Sequence, residues 1–322
     1  MIEIITKPEN FTPIREGVVF VVNSDEEVDF DIGIVESQSG VVVGRKVVYG
    51  STEAVVDIAP YVANMSKRIL PERGKCALKN APVAEYHITV DTAYDSIVSE
   101  KVVVSNNLEV PKRGINSLLP QQREIGYGEE DDLRIYVPAE SNVMVQIISD
   151  RGEYLRYDMY SESGAIEVHL ATKEFQSITK QIVVDIFYNN MPAYSALYTV
   201  VPRYNGAVRL MWLSPAGNIE HYTFPIKRSQ STVVEKRRVS SSLNGEVVST
   251  ISAKRLSICS NNEKAVVREA LTTVVTATKV WIEEASRSVE ATVIESEMVT
   301  SQFGKTGHIA ITLEYDGKEV VV

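Results

Sequence analysis

Apolar residues in this chain recur with a period of two, in short runs closed off by turn-forming clusters. A β-strand turns successive side chains to opposite faces, so this alternation sets one face against a core and the other in water. Val28, Phe30 and Ile32 alternate with Asp29 and Asp31. Leu133, Ile135 and Val137 stop at Pro138, and Val143, Val145 and Ile147 lead into the turn residues Asp150-Arg151-Gly152. Val is the dominant apolar residue and Tyr outnumbers Phe 15 to 7, which favours pleated surfaces over helices. The reading is a mainly β protein whose 322 residues suffice for two or three domains.

Three regions follow from the punctuation. Residues 1–110 read as a β-sandwich-like domain. In it, Val18–Val22 ends at the turn cluster Asn23-Ser24-Asp25, and a hairpin is expected about Gly44-Arg45-Lys46. Residues about 105–128, rich in Asn, Pro and Gly, read as a linker. Residues 111–205 hold a second β-sandwich-like domain, with the apolar run Ile182–Tyr188 at its centre. Residues 206–322 read as a small α+β domain. There a hairpin joins Val208–Leu213 to Ile219–Phe224, and one helix is expected near 261–275. Ser260 and Glu263 have the spacing of a capping box at its start.

Charge is unevenly shared. Residues 206–322 carry 14 Lys and Arg against 13 Asp and Glu, a net of +1, so residues 1–205 carry 19 against 30, a net of −11. An acidic body argues against nucleic-acid binding, which needs a cationic surface. A near-neutral C-terminal third can meet a neighbour without strong repulsion. No run approaches the roughly 20 apolar residues of a membrane span, and the N-terminus lacks the basic and long apolar regions of a secretory signal. Either the protein is made and used without export or a signal has been removed; synthesis in the cytoplasm is expected. Cys76 and Cys259 are read as reduced thiols.

Tests for chemistry return little. No Gly-x-Ser-x-Gly elbow is present, and His87, His169, His221 and His308 read as packed or surface strand residues. Cys and His are isolated from one another, unlike zinc ligands, so no cofactor or metal is expected. The acidic clusters Asp25–Asp31 and Glu129–Asp132 lack the spacing of a calcium loop and read as solvated faces. Gly304-Lys305-Thr306 ends like a phosphate-binding loop, but Val299 stands where the motif needs Gly. Lys227, Arg228, Lys236, Arg237 and Arg238, with Lys254 and Arg255, form a basic stretch that reads as a solvated loop or an electrostatic docking edge.

The hairpin from Val208 to Pro225 carries a strand ending Trp212-Leu213, a Gly217 turn and the strand Tyr222-Thr223-Phe224. In this it resembles tail-structure proteins of phages and prophages from Bacteroides-type bacteria, as do the later helix and the strand Lys279-Val280-Trp281-Ile282. The turn departs from that pattern at Ser214-Pro215. The resemblance implies a non-enzymatic assembly component that enters a virion or prophage particle after its synthesis in the cytoplasm, contacting other protein subunits. Trp212, Tyr222 and Phe224 are then candidate contact residues, with Lys236, Arg237 and Arg238 as a basic dock for an acidic neighbour. The alternative is a carbohydrate-binding or adhesin-type β-protein, which needs exposed aromatic platforms.

Overall fold

The protein is mainly β in a computed structural model, which describes residues 1–10, 12–62, 73–81, 83–105, 117–137, 140–162, 164–215, 217–238, 247–284, 287–301 and 305–321. Among these no helix is long and apolar enough to cross a membrane.

The N-terminal sheet is organised by two long strands, Val19–Glu36 and Val42–Asp57, paired antiparallel. The first half of Val19–Glu36 also pairs with Ile2–Thr6, and its second half with Ala84–Asp91. Both halves feed one core, where Phe20, Val22, Phe30, Ile32 and Ile34 meet Val56, Ile88 and Val90. Each such fully buried side chain contributes roughly 1.5–3 kcal/mol. Two expected turns are therefore strand. At Asn23-Ser24-Asp25 the ladder shifts register but does not reverse. At Gly44 the chain runs straight because the Tyr61 ring fills the side-chain position, where a Cβ would lie 2.2 Å from Tyr61 Cδ1. Glycine is the only residue that fits that approach.

The second unit is a sandwich of two sheets. One is Glu130–Tyr136, Ala165–Ala171 and Ala77–Asn80; the other runs Tyr154–Ser161, Ser141–Ser149, Gln181–Tyr188, Met191–Val201 and Gln122–Gly126. Gln181–Tyr188 lies third of five, central as its apolar run implies. Leu133, Ile135, Val145, Ile147, Val184 and Tyr198 meet between the layers. Two boundaries are corrected. The strand Ala77–Asn80 and buried Cys76 belong to this sandwich although they precede residue 110. The region read as a linker is ordered architecture from Ser117 on: Leu119 enters the core of the third unit, and Gln122–Gly126 pairs in parallel with Met191–Val201. Residues 106–116 of that region lie outside the described residues.

The third unit is one sheet ordered Ile219–Phe224, Val208–Leu213, Val280–Glu283, Ser288–Thr300, Thr306–Val321, Val247–Cys259, Ile226–Arg238. Its two terminal strands are separated in sequence by Pro225 alone. Consecutive Cα atoms are about 3.8 Å apart, so Phe224 and Ile226 lie within about 7.6 Å. The sheet must therefore curl until its ends meet there. The helix Ala265–Thr276 fills the curl, placing Ala270, Leu271 and Val274 against Leu210, Trp212, Phe224 and Ile311. The helix starts later than expected and the capping box does not form. Glu263 instead accepts from the Tyr222 hydroxyl at 2.6 Å, and Ser260 Oγ accepts from Ile309 N at 3.0 Å.

Candidate functional site

The contact residues expected from the hairpin separate into two groups. Trp212 and Phe224 are fully buried, and Trp212 Nε1 donates to Thr273 Oγ1 of the helix at 2.8 Å. Tyr222 is half-buried and packs edge-on against Phe224, with ring centroids 4.9 Å apart. This corrects the aromatic docking edge for Trp212 and Phe224, which have no surface left to offer a partner, while Tyr222 keeps part of its surface. Lys236 is exposed on the strand Ile226–Arg238; Arg237 and Arg238 continue that strand, and their side chains lie outside the described residues. The basic stretch is thus a long strand at the end of a sheet, not a loop.

The second correction concerns Glu129–Asp132, which is not a solvated face. Glu129, Asp131 and Asp132 are buried where the second unit packs on the third. Alternation explains their division. Asp131, Leu133 and Ile135 turn toward the sandwich, where Asp131 Oδ2 accepts from the Tyr198 hydroxyl at 2.8 Å and lies 3.3 Å from Arg123 Nη1. Asp132 turns the other way and meets two histidines, His169 Nδ1 at 2.8 Å and His221 Nε2 at 3.1 Å. Glu129 Oε2 accepts from Gly126 N, Arg209 Nη1 and Thr223 Oγ1 at 2.7–2.9 Å. Arg209 Nε is 3.3 Å from Glu283 Oε2. In the other cluster Asp25, Glu26, Glu27 and Asp29 are exposed as read, while Asp31 is half-buried, with its Oδ1 3.3 Å from Arg45 Nε.

Burial opposes the charge on Asp132, but hydrogen bonds from His169 and His221 outweigh it and hold the carboxyl well below the usual range. Burial also works against a charged His221, yet Asp132 and Glu283 raise it to about 9. His169 is raised as well, by Asp132 and then Glu130 acting against burial. Both ring nitrogens of each histidine face carboxylates: His169 Nε2 lies 3.4 Å from Glu130 Oε2, and His221 Nδ1 lies 3.9 Å from Glu283 Oε2. Only His169 Nδ1 and His221 Nε2 are hydrogen-bonded; the other nitrogen of each ring lies near its carboxylate without a hydrogen bond.

The sign of the pH dependence follows. A histidine raised from 6.5 to about 9 stabilises the fold fully below 6.5 and loses that contribution as pH rises to about 9. For His221 the loss is on the order of 3 kcal/mol. Asp132 acts oppositely: its contribution is present above 3.8 and lost as pH falls through its depressed value. Urea unfolding is expected to show lower stability at pH 9 than at pH 6, and His221→Gln should flatten that slope. Equal stability at both pH values would show that the ring is not held charged.

Beside this network lies a cleft of about 440 Å³, its walls including Arg123, Glu129, Asp131, Arg209, Tyr222 and Glu263. The guanidiniums of Arg123 and Arg209 are committed to Asp131 and Glu129. Among the described residues, no group of three or more His, Cys, Asp or Glu is arranged to hold a metal ion. Cys76 and Cys259 are free and buried, and burial pushes the Cys76 thiol up to about 12. A thiol held neutral is a poor nucleophile.

What remains uncommitted is at the far side of the curled sheet. The strand Ile226–Arg238 pairs only with Val247–Cys259, which leaves its other edge free among the described residues. Every side chain from Ile226 to Lys236 is exposed. The strand Ser288–Thr300 pairs with Val280–Glu283 only as far as Ala291, so its edge is free from Thr292 on, and Ile294–Thr300 are all exposed. No protein-family model matches this chain, and no curated protein matches it.

Proposed function

We propose that the chain is a non-enzymatic assembly protein, a tail-associated component of a phage or prophage particle, joined to other protein subunits through its C-terminal unit. The observation that carries this reading is the pair of free strand edges, along Ile226–Arg238 and along Thr292–Thr300 of the strand Ser288–Thr300. A strand exposed on both faces gains little from burial and must offset the entropy of ordering its backbone. A partner that covers the edge supplies the missing contacts. Val233, Val234, Met298 and Val299 stand exposed along these strands and would be covered with it. The buried ion network supports the same reading, because it fastens the second sandwich to the unit that presents the edges. After synthesis in the cytoplasm the chain enters the particle. Mass spectrometry of particles purified from a producing culture should find it at stoichiometric abundance. Its confinement to the free protein fraction would overturn the proposal.

A glycan-binding reading has one observation in its favour. On the edge strand Tyr154–Ser161, Tyr154, Arg156, Asp158 and Tyr160 are all exposed on one face, beside a shallow depression lined by Asn142, Met144 and Asn190. Two tyrosines about 20 Å apart flank the ion pair of Arg156 with Asp158, 2.8 Å between Nε and Oδ2. Aromatic rings with polar groups between them suit a sugar chain. A glycan array with a hit lost on Tyr160→Ala would favour this reading.

A further inference from the structure

The two free edges carry opposite charge. Lys227, Arg228 and Lys236 lie along one; Glu295 and Glu297 lie along the other. None of the five has an ion-pair partner among the described residues, although other charges of the same sheet, such as Lys254 with Asp316 and Arg255 with Glu314, are paired.

The ladder fixes their relative height. Glu297 pairs with Ala310, Ala310 with Cys259, and Cys259 with Ile226. Glu295 leads in the same way through Thr312 and Ser257 to Ser229. Lys227 and the bulged Arg228 therefore sit on the rungs between Glu297 and Glu295, at the opposite edge of the same sheet.

Direction is fixed as well. Three successive antiparallel steps separate Ser288–Thr300 from Ile226–Arg238, so these strands run oppositely. A second copy brought up edge to edge with the same face of its sheet outward sets its Ser288–Thr300 beside Ile226–Arg238 in antiparallel sense, and because the sheet curls the step from copy to copy includes a rotation. On level rungs, the bulged Arg228, held on the face of Cys259 by its 3.5 Å contact with Sγ, meets Glu295 and Glu297 of the next copy. Lys227, on the rung of Ile258, Ile311 and Ser296, lies on the other face and adds to the positive field of the edge.

We infer that the occupant of each free edge is a second copy of this chain, joined head to tail by antiparallel pairing of the basic edge at Ile226–Gln230 with the acidic edge at Val293–Glu297. This rests on the assembly reading above and names its partner. The contact is heterologous, so each added copy presents the same free edge again, and the array closes into a ring or grows as a filament. Opposite charge sets orientation and encounter rate, while the backbone ladder and exposed apolar side chains hold the contact.

The test is a charge exchange read by sedimentation velocity on the full chain. Wild type should associate, more strongly at low salt, because charge is screened beyond about 8 Å at physiological ionic strength. Glu295→Lys with Glu297→Lys makes both edges basic, and Lys227→Glu with Arg228→Glu makes both acidic. Each variant alone should associate roughly tenfold more weakly or worse. Mixing the two restores complementary edges and should restore association. All substituted side chains are exposed, and an unchanged melting temperature confirms folding. Three results overturn the inference: wild type that stays monomeric, reversals without effect, or a mixture that fails to recover. A monomeric chain still found in particles sinks this inference and leaves the assembly reading standing. If the basic side chains merely guard a bare edge, Lys227→Ser with Arg228→Ser will increase association, which also overturns it.

Discussion

Trp212→Ala is expected to cost about 3–5 kcal/mol, the range for deleting a large buried aromatic side chain. The ring lies between the curled sheet and the helix, among Leu210, Phe224, Leu271 and Val274. Its loss leaves a void that a closed sheet cannot collapse to fill. It also leaves Thr273 Oγ1 without the indole donor. Urea unfolding of the full chain measures the cost, and the fluorescence of Trp281 still reports the third unit. The same variant separates core from contact. A residue that docked a partner would weaken association and leave stability alone. A variant as stable as wild type would contradict the burial described for Trp212.

Arg209→Met is expected to have an effect of similar size by a different route. The guanidinium meets Glu129 at 2.9 Å and Glu283 at 3.3 Å, and its other terminal nitrogen donates to the carbonyl of Glu130. Removing one partner of a buried ion pair costs about 3–5 kcal/mol, because the remaining charge stays out of water. Glu129→Leu in the same chain removes the nearer of the two stranded carboxylates, so the double variant should recover part of the loss. Non-additivity of this kind marks a direct interaction. Limited proteolysis of the single variant should release residues 1–205 from the third unit more readily than in wild type. A loss under about 1 kcal/mol, with no change in proteolysis, would mean the units are held by something else.

Much of the β architecture was legible because one wet face and one dry face leave a period of two. Gln181–Tyr188 and the hairpin from Val208 to Phe224 are found where the pattern puts them. The long strand Ile226–Arg238 was not legible. Lys, Arg, Ser and Gln are poor strand formers by composition, and a strand exposed on both faces has no alternation to show. Its pairing comes from Val247–Cys259 and from the closure at Pro225, both remote from its own sequence. Asn23-Ser24-Asp25 and Gly44 misled for the opposite reason: turn residues are tolerated where a strand bulges or where an aromatic ring leaves no room for a side chain.

The buried network was legible only in part. Glu129–Asp132 looks like a wet strand face until a second unit covers that face. A local signal does exist on one partner strand: Arg209 is the one charged residue in Val208–Leu213, whereas His221 follows Glu220 in a mixed strand and carries no such signal. An isolated cation inside an otherwise apolar strand has to find a carboxylate. Which carboxylate it finds depends on how the units pack.

Amide hydrogen exchange on the full chain, compared at dilute and at assembling concentration, tests the central claim most directly. Free-edge amides exchange readily, and those that enter a ladder are protected. Exchange along Ile226–Arg238 and Thr292–Thr300 is expected to slow roughly tenfold or more on assembly, with the N-terminal sheet unchanged. Protection confined to residues 1–205, or none at either edge while the protein associates, would contradict it.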